Sequence, residues 1–225
     1  MLILGIETST AVCSVGFADE NGLRAERSLV ESHIHSEKLL TLIQELCDME
    51  QVTLRQIDGV AFSIGPGSFT GLRIGLSTAK GLCYALDRPL LAVPTFLSMA
   101  KSVFREHPNY PKVGVCIDAK QREYYIGVYE KRDGMIREVL PVQIGTLPDL
   151  AAASASIIVT DRLDSVKTES RGSDLIMEVF PYCRGDMVAA TALEQGIPGR
   201  RTGWEELEPM YLKDFVVRTR TKLEQ

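Results

Sequence analysis

Leu2-Ile3-Leu4-Gly5-Ile6-Glu7-Thr8-Ser9-Thr10-Ala11-Val12-Cys13-Ser14-Val15-Gly16-Phe17 opens the chain, and its outline returns 111 residues later. Leu2 to Ile6 is a continuous apolar run, as in a strand buried on both faces. Glu7 to Thr10 is a polar turn, and Val12 to Ala18 a second strand. Asn21-Gly22 is a strong hairpin signal, leading into a third strand over Leu23 to Val30. Shifted by 111, Ile6-Glu7 lands on Ile117-Asp118, Val15 on Ile126, Gly16 on Gly127 and Phe17 on Val128. Asn21-Gly22 is answered one residue later by Asp133-Gly134. Strand, acidic turn, strand, hairpin and strand therefore occur twice. The unit is too sparse for a solenoid repeat and points to a duplicated α/β fold with two similar lobes.

The segment between the copies reads as alternating helix and strand. Leu39, Leu40, Ile43, Leu46 and Cys47 recur at helical spacing and predict a helix over Ser36 to Met49, capped by Ser36 or Ser32. Thr53-x-x-Gln56 reads as a small capping box. Gly59 to Ile64 is a buried strand that breaks at Gly65-Pro66-Gly67-Ser68-Phe69-Thr70-Gly71. A second helix is expected over Leu72 to Leu86, a strand over Leu90 to Val93, and a helix from Pro94 to about Phe104. Residues 107–111 look like a linker. The expected lobes are 1–106 and a smaller 107–225, with about the last 20 residues returning to the first lobe. Beyond the second copy, a helix is expected over Leu147 to Ala153, a strand over Ile157 to Thr160 and a helix over Asp174 to Phe180. Pro209 to Lys213 is an aromatic-apolar cluster, and Val216 to Lys222 a basic tail.

Composition narrows the function classes. The 225 residues carry 25 Lys and Arg against 30 Asp and Glu, a formal net charge of −5, and 45% hydrophobic residues. That mix is ordinary for a globular protein and argues against gripping nucleic acid by bulk charge. Five widely spaced cysteines form no C-x-x-C pair and read as small buried groups in a reducing compartment. No apolar run is long enough to cross a membrane. The opening meets Glu7 almost at once and reads as a strand rather than a signal peptide, so a cytoplasmic home is expected.

The chemistry-bearing motifs each admit a bland reading. The Gly65 to Gly71 loop can cradle an anion at a helix start, or be a tight turn that lets the helix pack on its strand. It lacks the spacing and lysine of a P-loop and the final glycine of a dinucleotide fingerprint. Glu7, Thr8, Ser9 and Thr10 are weak candidates for holding phosphate or magnesium in a nucleotide cleft, with Asp118 as their mirror; equally, they form a hydroxyl-capped acidic turn. Ser77-x-x-Lys80 lacks the companions of a serine acyl-enzyme. His33, His35 and His107 are too scattered for a metal site. Along the second helix, Gly71, Gly75, Thr78 and Gly81 form a small-residue strip. A helical glycine costs about 1 kcal/mol relative to alanine, so the strip calls for a close neighbour, either the first helix or a second chain.

Together, Ile6-Glu7-Thr8-Ser9-Thr10, His35-Ser36-Glu37-x-Leu39-Leu40, Gly65 to Gly75 and Ala79-Lys80-Gly81-Leu82 resemble the TsaB (YeaZ) family, most strongly over the first 100 residues or so, with a Pro209-x-Tyr211-Leu212 echo later. The resemblance implies a two-lobed fold of the actin, Hsp70 and sugar-kinase class. It also implies a non-catalytic relative of TsaD that binds TsaD directly, is joined by TsaE and meets tRNA only through that complex. The complex places a threonylcarbamoyl group on N6 of the adenosine beside the anticodon. TsaD relatives carry Asn-His-x-x-x-His where this chain has Pro94 to Met99, so Thr95 and Met99 stand at the metal-ligand positions. No catalytic residue, metal or cofactor is therefore expected in the isolated chain; ATP and metal belong to the partner. Most TsaB sequences have Asp where this one has Glu7. The expected partner surface comprises Leu39, Ile43, Gly71, Arg73, Gly75, Thr78 and Lys80, and supports a homodimer when TsaD is absent. The competing reading is an enzyme of the same fold, a glycoprotease or a small-molecule kinase.

Overall fold

A strand with every residue buried needs cover on both faces and partners on both edges. The first strand, β1 (Ile3–Glu7), is of that kind. The computed structural model describes residues 1–31, 33–120, 123–164, 166, 175–196 and 206–212. In it β1 pairs antiparallel with β2 (Val12–Asp19) and parallel with β4 (Gly59–Gly65). β3 (Gly22–Val30) and β5 (Leu90–Pro94) complete a sheet of order β3-β2-β1-β4-β5.

The second copy builds the same sheet again. β6 (Lys112–Asp118) is central, flanked by the antiparallel β7 (Tyr124–Arg132) and β8 (Met135–Gly145) on one side. The parallel β9 (Ile157–Thr160) and β10 (Leu175–Glu178) lie on the other. Its order is β10-β9-β6-β7-β8. The hairpin glycine sits where expected: Asp133 and Gly134 have φ of 53° and 78°, the left-handed pair that a two-residue hairpin turn demands. Two equivalent mixed sheets flanked by helices are the duplicated α/β architecture of the actin, Hsp70 and sugar-kinase class.

The helices are exchanged between the sheets. α1 (His35–Glu50) and α2 (Phe69–Leu86) cover one face of the first sheet, packing Leu39, Ile43, Leu46 and Leu76 on Ile6, Val15 and Phe62. Its other face is covered by a helix from the far end of the chain, α5 (Gly185–Gln195), through Val188, Ala189 and Ala192. Conversely α3 (Thr95–Glu106), which follows β5, lays Phe96, Met99 and Val103 on Val113, Val115 and Ile157 of the second sheet. The short α4 (Leu147–Ala152) covers that sheet's other face. A fully buried side chain of this size contributes about 2 kcal/mol, so each sheet depends on a helix from the other half. The expected boundary between residues 106 and 107 divides the chain but not two independent cores.

The seating of α5 is unusually close. A Cβ on Gly185 would lie 2.5 Å from the Gly16 nitrogen, and one on Gly16 would lie 2.6 Å from the Asp186 Cα. Gly185 N–H donates to Ser14 Oγ (2.9 Å). Arg184 pairs bidentately with Asp186 (3.0 and 2.6 Å) and reaches Glu26 and Glu106. α5 thus sits directly on the backbone of β2, tied to β3 and α3 by one guanidinium among three carboxylates.

Several sequence expectations are corrected. α1 starts at His35 behind Ile34, with no side-chain cap, so Ser36 does not cap it; Ser32 lies outside the described residues. α2 begins three residues earlier than expected, because Ser68 Oγ accepts from Gly71 N–H and caps the turn that contains Phe69, Thr70 and Gly71. The expected helix over Asp174 to Phe180 is instead β10 followed by a single 3-10 turn at Phe180–Tyr182; Asp174 lies outside the described residues. A run of three apolar residues, Leu175 to Met177, is ambiguous by periodicity, and pairing with β9 decides it. The basic tail over Val216 to Lys222 also lies outside the described residues. Among the described residues no helix is long and apolar enough to cross a membrane.

Candidate functional site

A cleft of about 800 Å³ opens where the ends of β1 and β6 face each other. Ser9, Thr10, Ser68 and Thr70 line one side, and Asp118, Lys120 and Asp161 the other. Both acidic turns read from the repeat are here, and each carboxylate is already engaged.

Glu7 is completely buried. Its Oε1 accepts from Ser9 N–H (2.6 Å) and Ser9 Oγ (2.5 Å), and its Oε2 accepts from the Ser63 hydroxyl at the end of β4. Burial pushes its pKa up, opposed by the hydrogen bonds from Ser63 and Ser9. The longer side chain of glutamate spans from β1 to β4 inside the lobe instead of reaching into the cleft.

The next residues are sealed as well. Thr8, Ser9 and Thr10 are 2%, 1% and 7% exposed. Ser68 N–H donates to the Ser9 carbonyl (2.6 Å), and Thr8 Oγ1 donates to the Gly71 carbonyl (2.9 Å). A Cβ on Gly71 would overlap the Thr8 carbonyl, and one on Gly75 would overlap the Thr8 hydroxyl. On Gly67 it would come within 2.8 Å of Ser9 Cβ. The start of α2 therefore rests on the β1–β2 turn. For Gly71 and Gly75 the close neighbour is this turn, not α1; Gly81 has nothing within 4 Å of the place a Cβ would take.

Asp118, the mirror residue, is ion-paired within its own lobe. Lys120 Nζ lies 2.9 Å and Arg162 3.7 Å from its Oδ2, and Lys120 N–H donates to Oδ1 (2.8 Å). Burial alone would raise its pKa; the hydrogen bonds from Lys120 and the charges of Lys120 and Arg162 outweigh it and hold the carboxyl below its usual range. Asp161, which accepts from Asp118 N–H (2.8 Å), is shifted up by burial.

The expected partner surface is also partly corrected. Leu39 and Ile43 are 1% and 3% exposed, in the core beneath α1 and α2, and Gly71 and Gly75 face Thr8. Leu39, Ile43 and Gly75 are enclosed within the lobe, and Gly71 lines the cleft rather than the outer side of α2. Thr78 and Lys80 are half-buried, and Arg73 is exposed. Arg73 lies over the Phe69 ring (3.9 Å) and donates through Nε to Tyr211 Oη (2.8 Å). At the TsaD-type ligand positions, Thr95 Oγ1 accepts from Gly65 N–H (3.0 Å) and Met99 is packed in the second-sheet core. His35 Nε2 lies 3.0 Å from the Val12 carbonyl and His107 Nε2 3.0 Å from Tyr182 Oη, while His33 is exposed. Among the described residues no group of three His, Cys, Asp or Glu side chains is placed to hold a metal.

Residues 29–160 match the family model of TsaD, tRNA N6-adenosine threonylcarbamoyltransferase, over more than half of the chain. The tRNA threonylcarbamoyladenosine biosynthesis protein TsaB of Escherichia coli (strain K12) is 28% identical over 232 aligned residues, covering 96% of each chain. The chain belongs to the TsaB (YeaZ) family. The TsaB of Bacillus subtilis (strain 168) is 31% identical over 152 residues, 66% of this chain and 64% of that one. The crystal structure of YeaZ from Pseudomonas aeruginosa superposes with a TM-score of 0.77 at 27% identity, covering 94% of this chain and all of that one. A second P. aeruginosa structure, described as similar to the peptidase YEAZ, gives 0.80 at 28%, covering 94% and 99%. The E. coli relative, which matches nearly end to end, is named for tRNA threonylcarbamoyladenosine biosynthesis, as is the shorter match in B. subtilis.

Sequence reasoning missed Ser63, Asp161 and Arg162, and named Tyr211 without its partner. Each acts across a gap in sequence: Ser63 reaches Glu7 over 56 residues, Tyr211 reaches Arg73 over 138. The one available signal was the aromatic-apolar cluster at Pro209 to Lys213, which marks a contact but does not name its partner.

Proposed function

We propose that this chain is a non-catalytic, cytoplasmic subunit that supports threonylcarbamoylation of tRNA at the adenosine beside the anticodon, by binding TsaD directly and TsaE within the complex. The carrying observation is the state of the cleft. Glu7 is buried under three donors, Asp118 is paired with two cations, and the β1–β2 turn is filled by the start of α2. A general base must reach a substrate proton; these carboxylates are committed to the fold. The same sealing supports weak or no affinity for ATP in the isolated chain, the nucleotide and metal chemistry falling to TsaD.

The surface offered to TsaD is the outer side of α1 and α2. Leu40 is 63% and Tyr84 73% exposed. Gly81 is exposed, with nothing within 4 Å of the place a Cβ would take. Ser77, Gly81 and Tyr84 share one side of α2, with Thr78 and Lys80 beside them and Arg73 one turn earlier. The cost of a glycine at position 81, about 1 kcal/mol, has no internal justification, unlike those at 71 and 75. It fits close approach of a partner helix. A surface fitted to a structural relative also fits itself, so a homodimer through this side is expected when TsaD is absent.

Gly81→Leu and Tyr84→Asp test the pairing by size-exclusion chromatography with TsaD, alongside circular dichroism of each variant alone. Folded variants that no longer co-elute with TsaD are expected. Folded variants that pair as the wild type does would show that the surface is wrong.

A further inference from the structure

Residues 206–212 come back from the far end of the chain and lie across the start of α2. Leu207 packs on the core beneath α1 and α2. Met210 N–H donates to the Ile64 carbonyl (2.7 Å) near the end of β4. Beside it Gly65 has φ +120°, and a Cβ there would lie 2.8 Å from the Met210 carbonyl oxygen. The Tyr211 ring sits tilted on Phe69, centroids 5.0 Å apart. The Arg73 guanidinium lies over both rings, 3.9 and 5.6 Å from their centroids, and its Nε donates to Tyr211 Oη.

Two features make this more than a packed loop. Met210 and Tyr211 form part of the cleft wall on the side of α2's first turn, in the same cavity as Asp118 and Lys120. They are 39% and 38% exposed, less covered than the buried Pro209 just before them. Among the described residues, the attachment at Met210 and Tyr211 consists of one backbone hydrogen bond and one aromatic–guanidinium clasp, with the buried Pro209 and the half-buried Leu207 as anchors upstream. Segments held by few buried contacts open at lower free energy than the core, and a cation over aromatic rings at an exposed site is a modest bond.

We propose that residues 206–212 are a latch on the cleft. Closed, Tyr211 clasps Phe69 and Arg73 and fixes the first turn of α2. Open, it removes the cleft wall made by Met210 and Tyr211 and frees that turn, including the Ser68 cap and the Gly65 to Gly71 backbone. The latch couples the end of the chain to the glycine loop, although 138 residues separate Tyr211 from Arg73.

Hydrogen exchange of the full chain, read by mass spectrometry, tests this with Tyr211→Ala, which removes the ring, and Tyr211→Phe, which removes only the hydroxyl. In Tyr211→Ala, amides in residues 65–72 and in 207–212 are expected to exchange at least tenfold faster, together. β6 and α5 should keep wild-type protection. Tyr211→Phe should give the same pattern with a smaller change. Faster exchange in 207–212 with 65–72 unchanged would overturn the proposal, because the segment would then be attached without controlling the loop. Unchanged exchange in both segments would overturn it, as would uniform acceleration through β6 and α5 in both variants, which would make the segment part of the global fold.

Discussion

Gly75→Ala and Gly81→Ala place the same methyl group on the same helix, and the structure gives them opposite signs. At position 81 the new Cβ meets nothing within 4 Å, so the gain in helix propensity acts alone and should stabilise the chain by about 1 kcal/mol. At position 75 the new Cβ overlaps Thr8 Oγ1, which donates to the Gly71 carbonyl (2.9 Å). Moving that hydroxyl breaks a buried hydrogen bond, costing about 1–3 kcal/mol, and overpacking adds about 1–3 kcal/mol. After the propensity gain, a net loss of roughly 2–3 kcal/mol is expected. At about 2–4 °C per kcal/mol for a chain of this size, that is a fall in Tm of roughly 5–10 °C, against a rise of a few degrees for Gly81→Ala. Thr8→Ala supplies the control. Without the hydroxyl, the nearest Thr8 atom to the new methyl is Cβ at 3.5 Å, an ordinary contact, so Gly75→Ala in that background should become neutral or stabilising. Urea unfolding of the four proteins in this cycle reads the coupling. A Gly75→Ala variant as stable as the wild type, or one whose loss persists beside Thr8→Ala, would refute the assignment of the Thr8 turn as the neighbour of the glycine strip.

Gly185→Ala puts a Cβ 2.5 Å from the Gly16 nitrogen, backbone that cannot yield locally; it should lift α5 from the first sheet and lower the urea midpoint far more than Gly81→Ala raises it. Glu7 carries a raised native pKa, chiefly through burial, so its contribution to stability is fully present below the unfolded pKa near 4.5 and is lost as pH rises through the native value. Glu7→Gln should flatten that slope, gaining stability relative to wild type as pH increases across that window; parallel slopes in urea titrations would remove Glu7 as the cause. Isothermal calorimetry of the isolated chain with ATP and magnesium should show weak or no binding, since Thr8 and Ser9 are covered by the start of α2 and the Thr10 hydroxyl is turned to Cys183; micromolar affinity would contradict that.

The duplicated sheets were legible because each copy writes its own alternation and turn chemistry locally: apolar strand, acidic turn, strand, Asn-Gly or Asp-Gly hairpin. The need for a close neighbour at Gly71 and Gly75 was legible too, as an unexplained helical cost. The identity of that neighbour was not, because Thr8 lies 63 residues before Gly71; the apolar stripe through Leu39 and Ile43, by contrast, already marks the side of α1 that faces inward. α5 escaped for a different reason. Met187, Val188, Ala189, Thr191 and Ala192 are buried on most sides between sheet and helix, which erases the amphipathic stripe that a surface helix shows. The acidic turns were found as a pair, yet their roles depend on Ser63 and Arg162, set by tertiary packing.

In the proposed function this chain serves a partner's chemistry and performs none itself. The direct measurement is mass-spectrometric quantitation of N6-threonylcarbamoyladenosine in tRNA incubated with purified TsaD and TsaE, ATP and the threonylcarbamoyl donor, with this chain present, absent, or carrying Tyr84→Asp. The modified nucleoside should form at high yield only with the wild-type chain, and both the omission and Tyr84→Asp should reduce it sharply. Equal yields with and without the chain, or modification by this chain with TsaD left out, would contradict the claim.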